Sequence, residues 1–177
     1  LEPGGRYLVA ACDGVNQAGA LQLTAASRLG SDPRWLPYVA VEDLTVSLER
    51  AGDLGGTAVL GPVDVPDVGR SAVVADPGGA FIGLLEGKIP PADQGVGNEH
   101  GRFWWDELLA ADLESAVPFY EGLFGWLAQV QDLDRVRYTS FQLGGEPVAG
   151  AMDMNEGWAE VPGRWGGDSP KWMPYVA

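Results

Sequence analysis

The chain has 177 residues, 46% of them apolar and 20% charged, which suits one buried core or two small joined ones. A formal net charge of −14 argues against nucleic acid and anionic membrane as partners, because both would be repelled. The single cysteine, Cys12, excludes an internal disulfide and a cysteine-based zinc site. No apolar run approaches the roughly 20 residues of a membrane helix and no signal peptide stands out, so a cytoplasmic protein is expected.

In chain order, residues 1–24 read as the closing strands of a module whose helix is absent. Trp35 to Val41 is an apolar, β-rich run, in which Leu36, Tyr38 and Ala40 share one face while Trp35, Pro37 and Val39 face a helix. Asp43 can cap that helix, with Leu44, Leu48, Ala51 and Leu54 on one side and Gly55-Gly56 as its stop. Three strands are then predicted: Thr57 to Leu60, turned by Gly61-Pro62; Ser71 to Ala75; and, after the Asp76-Pro77-Gly78-Gly79 turn, Ala80 to Leu85. Residues 88–100 form a Pro/Gly-rich linker. The order then repeats: a strand Arg102 to Leu109, and a helix capped by Asp112 carrying Leu113, Ala116, Val117, Tyr120, Leu123 and Phe124, stopped at Gly125. Strands Trp126 to Val130, Val136 to Leu143 and Val148 to Met154 follow, with Gly144-Gly145 turning the last hairpin. Pro118 lies inside this helix, removes one donor and is expected to kink it.

Two further matches mark a duplication. Tyr7 to Leu21 aligns with Tyr138 to Met152, placing Ala18-Gly19-Ala20 on Ala149-Gly150-Ala151. Trp35 to Ala40 (W-L-P-Y-V-A) returns at Trp172 to Ala177 (W-M-P-Y-V-A). The pattern, with no initiating Met, predicts a longer protein of four βαβββ modules, of which this chain holds the end of the first, the second and third, and the start of the fourth. Residues 1–87 then form a first unit, 88–100 a linker and 101–177 a second unit. The second and third modules could share one cup, or each could pair with a module largely outside the chain. A strand edge left open in this way would favour a homodimer.

This order resembles the vicinal oxygen chelate superfamily, which includes glyoxalase I, bleomycin-resistance proteins, fosfomycin-resistance enzymes and extradiol dioxygenases, and within it the tandem glyoxalase-like branch. Three stretches carry the resemblance: Trp105, Glu107, Leu108, Asp112, Ala116, Phe119, Tyr120 and Leu123 to Trp126; Pro37 to Asp43; and Val68 to Ala80. It implies an α+β fold in which paired βαβββ modules form half-open mixed sheets around a cup that holds the ligand. The resemblance also implies divalent-metal ligands, His or Glu, at Trp105, Leu36 and Gly83, and none of these side chains can bind an ion. The only histidine, His100, with Glu99 beside it, lies in the linker and reads as solvent-exposed. No cofactor is therefore expected in this chain, and a divalent metal stays open for the longer protein.

Alternation puts Phe103, Trp105 and Glu107 on one face of their strand. If that face lines the cup, Glu107 is a carboxylate among aromatics, a setting suited to acid/base work; the plainer reading has it bonded to a backbone group or an Arg. Seven tryptophans are a high count. Phe103, Trp105, Tyr38, Phe81, Tyr138 and Phe141 are candidates for a cup wall on which a flat ligand stacks, with core packing as the alternative for some. Trp158 and Trp165, in a long loop, could act as a lid. No phosphate-binding glycine loop and no Ser/His/Asp triad can be built, and Cys12 has no His partner.

The expected protein is metal-free and binds a small flat or apolar molecule in an aromatic-lined cup. The competing readings are a glyoxalase-like lyase or isomerase using Glu107, a dioxygenase-type metalloenzyme with ligands outside these segments, and a structural unit supporting an active one.

Overall fold

The computed structural model describes residues 6–23, 29–30, 32–87, 100–133, 136–155 and 169–177. Glu99, Trp158 and Trp165 lie outside them. The described elements begin with a hairpin, β1 (Tyr7–Cys12) and β2 (Val15–Leu21), turned at Asp13-Gly14, both in the left-handed region. Next come β3 (Tyr38–Ala40), α1 (Leu44–Asp53), β4 (Thr57–Val65), β5 (Gly69–Ala75) and β6 (Phe81–Gly87), giving a four-stranded sheet in the order β3-β6-β5-β4. The third group is β7 (Phe103–Ala110), α2 (Leu113–Phe124), β8 (Leu127–Leu133), β9 (Val136–Leu143), β10 (Glu146–Asp153) and β11 (Lys171–Val176). It makes a five-stranded sheet in the order β11-β7-β10-β9-β8.

In both sheets the module's first strand runs parallel to its last, β3 to β6 and β7 to β10, with the helix as the crossover. The remaining pairs are antiparallel. The result is an α+β fold of open mixed sheets, as expected. The two complete modules do not share a sheet. Instead β11, from the second W-x-P-Y-V-A stretch, lies antiparallel along the outer edge of β7.

Local chemistry sets the helix ends. Asp43 Oδ1 accepts from the Val46 N–H at 3.0 Å, and Asp112 Oδ1 accepts from the Glu114 N–H at 2.9 Å. The Leu44 N–H donates to Glu86 Oε2 on β6, tying the start of α1 to its own sheet. Gly125 (φ 69°) ends α2 by turning left-handed. Helix α2 runs through Pro118, which supplies no donor to the Glu114 carbonyl.

Most strand ends differ from the sequence reading by one to three residues, and three differences bear on the fold. Strand β4 does not stop at Leu60 but continues to Val65, so Gly61-Pro62 is not a turn. It is the sheet's edge strand, and its register with β5 slips between Leu60 and Val63, so Pro62 falls where the ladder is already irregular. The apolar run from Trp35 forms a strand only over Tyr38–Ala40. Trp35 precedes that strand, so alternation does not govern it, and it is 55% exposed rather than turned to a helix. Strand β8 starts one residue after Trp126, whose indole is buried in the core.

One core joins the modules. Leu44 and Ala51 of α1 and Ala116, Phe119, Tyr120 and Leu123 of α2 pack with Val74, Ile82 and Leu84 from one sheet and Leu108, Phe141, Ala151 and Trp172 from the other. Each large side chain fully buried there contributes about 1.5–3 kcal/mol. The helices touch directly: Leu54 lies where a Cβ on Gly122 would stand, Arg50 Nε donates to the Gly122 carbonyl, and Phe119 lies against Gly56. Tyr120 sits at the centre, with no exposed surface. Its hydroxyl donates to Asp76 Oδ2 (2.9 Å) and accepts from Trp172 Nε1 (3.0 Å), linking the Asp76-Pro77-Gly78-Gly79 turn to β11.

Tyr120→Phe should therefore strip a donor from a buried carboxylate and an acceptor from a buried indole. We expect a loss of about 1–3 kcal/mol in unfolding free energy, read as a lower urea midpoint. An unchanged midpoint would refute the assigned role of this link.

Candidate functional site

Register divides each sheet into a helix face and an opposite face, here named the open face because the helices do not pack on it, although Glu107, Leu109, Ser140 and Met152 on it are buried. On the five-stranded sheet, Leu108, Ala149, Ala151, Phe141 and Trp172 point to the helices. The residues between them point the other way: Trp105, Glu107 and Leu109 on β7, Gly150 and Met152 on β10, Tyr138 and Ser140 on β9, and Lys171, Met173 and Tyr175 on β11.

A hydrogen-bonded cluster occupies the middle of this open face. Glu107 is 5% exposed, and both its oxygens are engaged. Tyr138 Oη donates to Oε2 at 3.0 Å and Tyr175 Oη donates to Oε1 at 2.9 Å. Trp105 Nε1 in turn donates to Tyr138 Oη at 2.9 Å. Burial, then the hydrogen bond to Glu107 and its charge, push the Tyr175 hydroxyl up to about 12. The Tyr138 hydroxyl is raised as well, by burial first and then by the Glu107 charge. Both phenols therefore stay protonated through the neutral range and hold the carboxylate from two sides.

Gly150 makes this possible. A Cβ there would collide with the Tyr138 hydroxyl and stand 3.0 Å from Trp105 Nε1. The same device recurs at the first hairpin, where Tyr7 crosses Gly19, and on the four-stranded sheet, where the Tyr38 ring covers Gly83. Tyr7 pairs with Leu21 as Tyr138 pairs with Met152, so the repeated Tyr and Ala-Gly-Ala record one packing arrangement.

The sequence-derived candidates separate into four places. Trp105, Glu107 and Tyr138 come together. Tyr38 and Phe81 lie on the four-stranded sheet instead, with Tyr38 51% exposed and the Arg34 guanidinium 4.5 Å above the Phe81 ring. Phe103 is set edge-on to Trp35, at 5.7 Å between centroids, and the ladder to β11 is irregular between it and Trp105. Phe141 is a correction: it is fully buried on the helix face, against Tyr120 and Trp126. It stands an odd number of residues from Tyr138, so alternation alone places the two rings on opposite faces. Glu107 bonds tyrosine hydroxyls, not the backbone group or Arg of the plainer expectation. His100 is exposed and Cys12 half-buried. Tyr175 was missed, although its signal was present: it is the repeat counterpart of Tyr38. Asp106, the neighbour of Glu107, points to the other face, and burial pushes its carboxyl up to about 6.

The residues here do not fit the divalent ion that the fold implies. Gly83 and, by the same register, Gly150 carry no ligand atom and are covered by tyrosines; Leu36 is apolar; Trp105 spends its N–H on Tyr138. Among the described residues no three His, Cys, Asp or Glu side chains lie close enough to hold a metal. No described helix is long and apolar enough to cross a membrane.

No family model matches the chain. It is 28% identical over 167 residues to the Mycobacterium bovis protein named "Putative glyoxylase CFP32", covering 92% of this chain and 61% of that protein. It is 31% identical over 121 residues to "Anthracycline biosynthesis protein DnrV" of Streptomyces peucetius, covering 68% of this chain and 43% of that one. A glyoxylase/bleomycin resistance protein/dioxygenase domain from Frankia sp. superposes with a TM-score of 0.40 at 16% identity, over 68% of this chain and 90% of that one. The chain thus spans less than two thirds of the length of the curated relatives it matches. The βαβββ order, observed twice, and a relative named as a glyoxylase support the resemblance to the vicinal oxygen chelate superfamily.

The raised Tyr175 hydroxyl has a consequence for stability. In the unfolded chain a tyrosine ionises near 10, so folding is fully supported by this group below that pH and loses the support as pH rises from about 10 to 12. We expect the stability of Tyr175→Phe to fall less across that window than that of the native chain, measured by urea unfolding at stepped alkaline pH. Equal slopes would contradict the assignment.

Proposed function

We propose that the chain is a small-molecule-binding member of the superfamily, working without a metal, whose ligand is a flat aromatic molecule received on the open face of the five-stranded sheet. The observation that carries this reading is the Trp105–Tyr138–Glu107–Tyr175 cluster, in which Glu107 holds two half-buried phenols and one of these holds the Trp105 indole. Aromatic walls give large burial with little loss of side-chain freedom, and here the hydrogen bonds have already fixed the rings. Anthracyclines are flat polycyclic molecules, so the name of the Streptomyces peucetius relative lends support to an aromatic ligand.

Catalysis by Glu107 is less well supported. A general base needs a free lone pair aimed at the substrate's proton, whereas both oxygens of Glu107 are bonded to phenols under an almost closed surface. A metal-assisted lyase or dioxygenase reaction would need ligands from other segments, since the strand positions that resemble the family's ligand sites hold Trp, Leu and Gly.

Titration of the full chain with a panel of planar aromatic compounds should give saturable quenching of tryptophan fluorescence. Trp105→Phe should remove most of the quenching while leaving calorimetric affinity within a few fold. Tyr138→Ala, which deletes a wall, should weaken binding by about tenfold or more. The reading fails if no planar compound binds, or if the chain retains one divalent ion per molecule after incubation with a metal mixture and dialysis.

A further inference from the structure

Glu107 is a buried acidic residue with no counter-ion among the described residues. Among the described residues no lysine or arginine makes an ion pair with it; the Arg70–Glu86 pair belongs to the other sheet. Lys171 shares the open face but sits opposite Leu109 on the ladder, and both Glu107 oxygens are already taken by tyrosines. A buried charge left without an opposite charge is unfavourable, and hydroxyl donors offset only part of that.

The two phenols also carry the carboxylate's influence outward. A phenol donating to a carboxylate becomes a better acceptor at its own oxygen, because hydrogen bonds in a chain polarise one another. Tyr138 Oη accepts one bond, from Trp105, while Tyr175 Oη, nearer the surface, donates to Glu107 and retains lone pairs for an N–H group. The aromatic side chains of Trp105, Tyr138 and Tyr175 meet at this carboxylate, and aromatic rings attract positive charge through their quadrupoles. The equivalent position on the four-stranded sheet is Tyr38, which pairs with Gly83 as Glu107 pairs with Gly150, so a carboxylate at this register distinguishes the five-stranded sheet.

We infer that the molecule received on this face is a planar aromatic cation, bearing a protonated amine or ring nitrogen, in preference to a neutral or anionic one. This rests on the binding reading given above and specifies the ligand's charge.

Three three-ring probes decide it: proflavine, a planar cation; acridone, which is neutral; and anthracene carboxylate, an anion. Affinities are measured by calorimetry on the full chain near pH 7 and about 0.15 M salt, where long-range attraction to the protein's net negative charge is screened. Proflavine is expected to bind about tenfold tighter than acridone, and the anion more weakly than either. Glu107→Gln should bring the proflavine-to-acridone ratio close to one. Tyr175→Phe, which keeps the carboxylate but removes the outward oxygen, should lower the ratio several-fold. Equal affinities in the native chain overturn the inference and leave the binding reading standing. A ratio that survives both substitutions also overturns it, since it would then arise from the protein's general negative charge. If Glu107→Gln fails to fold, Tyr175→Phe alone gives the same decision. If none of the three probes binds, the binding reading itself falls and this inference with it.

Discussion

Tyr120 is the residue on which the arrangement of the two sheets depends. Its ring packs edge-on against Phe119 and Trp172 and lies beside Phe124, Trp126 and Phe141. Its hydroxyl joins an aspartate of one module to an indole at the start of the next strand pair. A buried phenol is tolerable only when its hydroxyl is bonded, and a buried aspartate only when its oxygens are. Asp76 meets that condition by accepting from the Ala80 N–H at 2.8 Å as well as from Tyr120. Burial raises the pKa of both groups, and each satisfies a buried polar atom of the other. The turn that carries Asp76 is thereby fixed against the second module, where Gly78 approaches Ala111 and Gly79 approaches Pro170.

With Trp172 held on the helix face, the rest of β11 has little freedom. Its alternation presents Met173 and Tyr175 to the open face, opposite Glu107 and Trp105. The buried link at Tyr120 and the cluster at Glu107 are thus opposite sides of the same strand pair, β7 with β11. A register slip of one residue would place Tyr175 among the helices and Trp172 on the open face, breaking both hydrogen-bond networks at once.

The glycines tell a parallel story. At Gly19, Gly83 and Gly150 the absence of a side chain lets a tyrosine ring lie across the strand. Gly83, where the superfamily resemblance implies a metal ligand, is one of these beds for an aromatic ring. The face away from the helices consequently carries aromatic side chains gathered around one acidic residue.

Much of this was legible from sequence alone. Local rules determined the helices and their ends, because Asp43 and Asp112 act on N–H groups two or three residues away and Gly125 needs only its own backbone freedom. The repeat marked the module order, and three motif stretches carried the resemblance to the superfamily. Strict alternation along Phe103 to Glu107 brought Trp105 and Glu107 to one face, and the same rule, applied to Tyr138 and Phe141, separates them. What sequence could not supply was everything that depends on which strands are neighbours. Tyr175 reaches Glu107 only because β11 pairs with β7, and Tyr38 and Phe81 leave the cluster because the second and third modules build separate sheets. Pairing between distant strands is decided by how the whole core closes around Tyr120, a non-local balance of burial and hydrogen bonding that no short stretch of residues encodes.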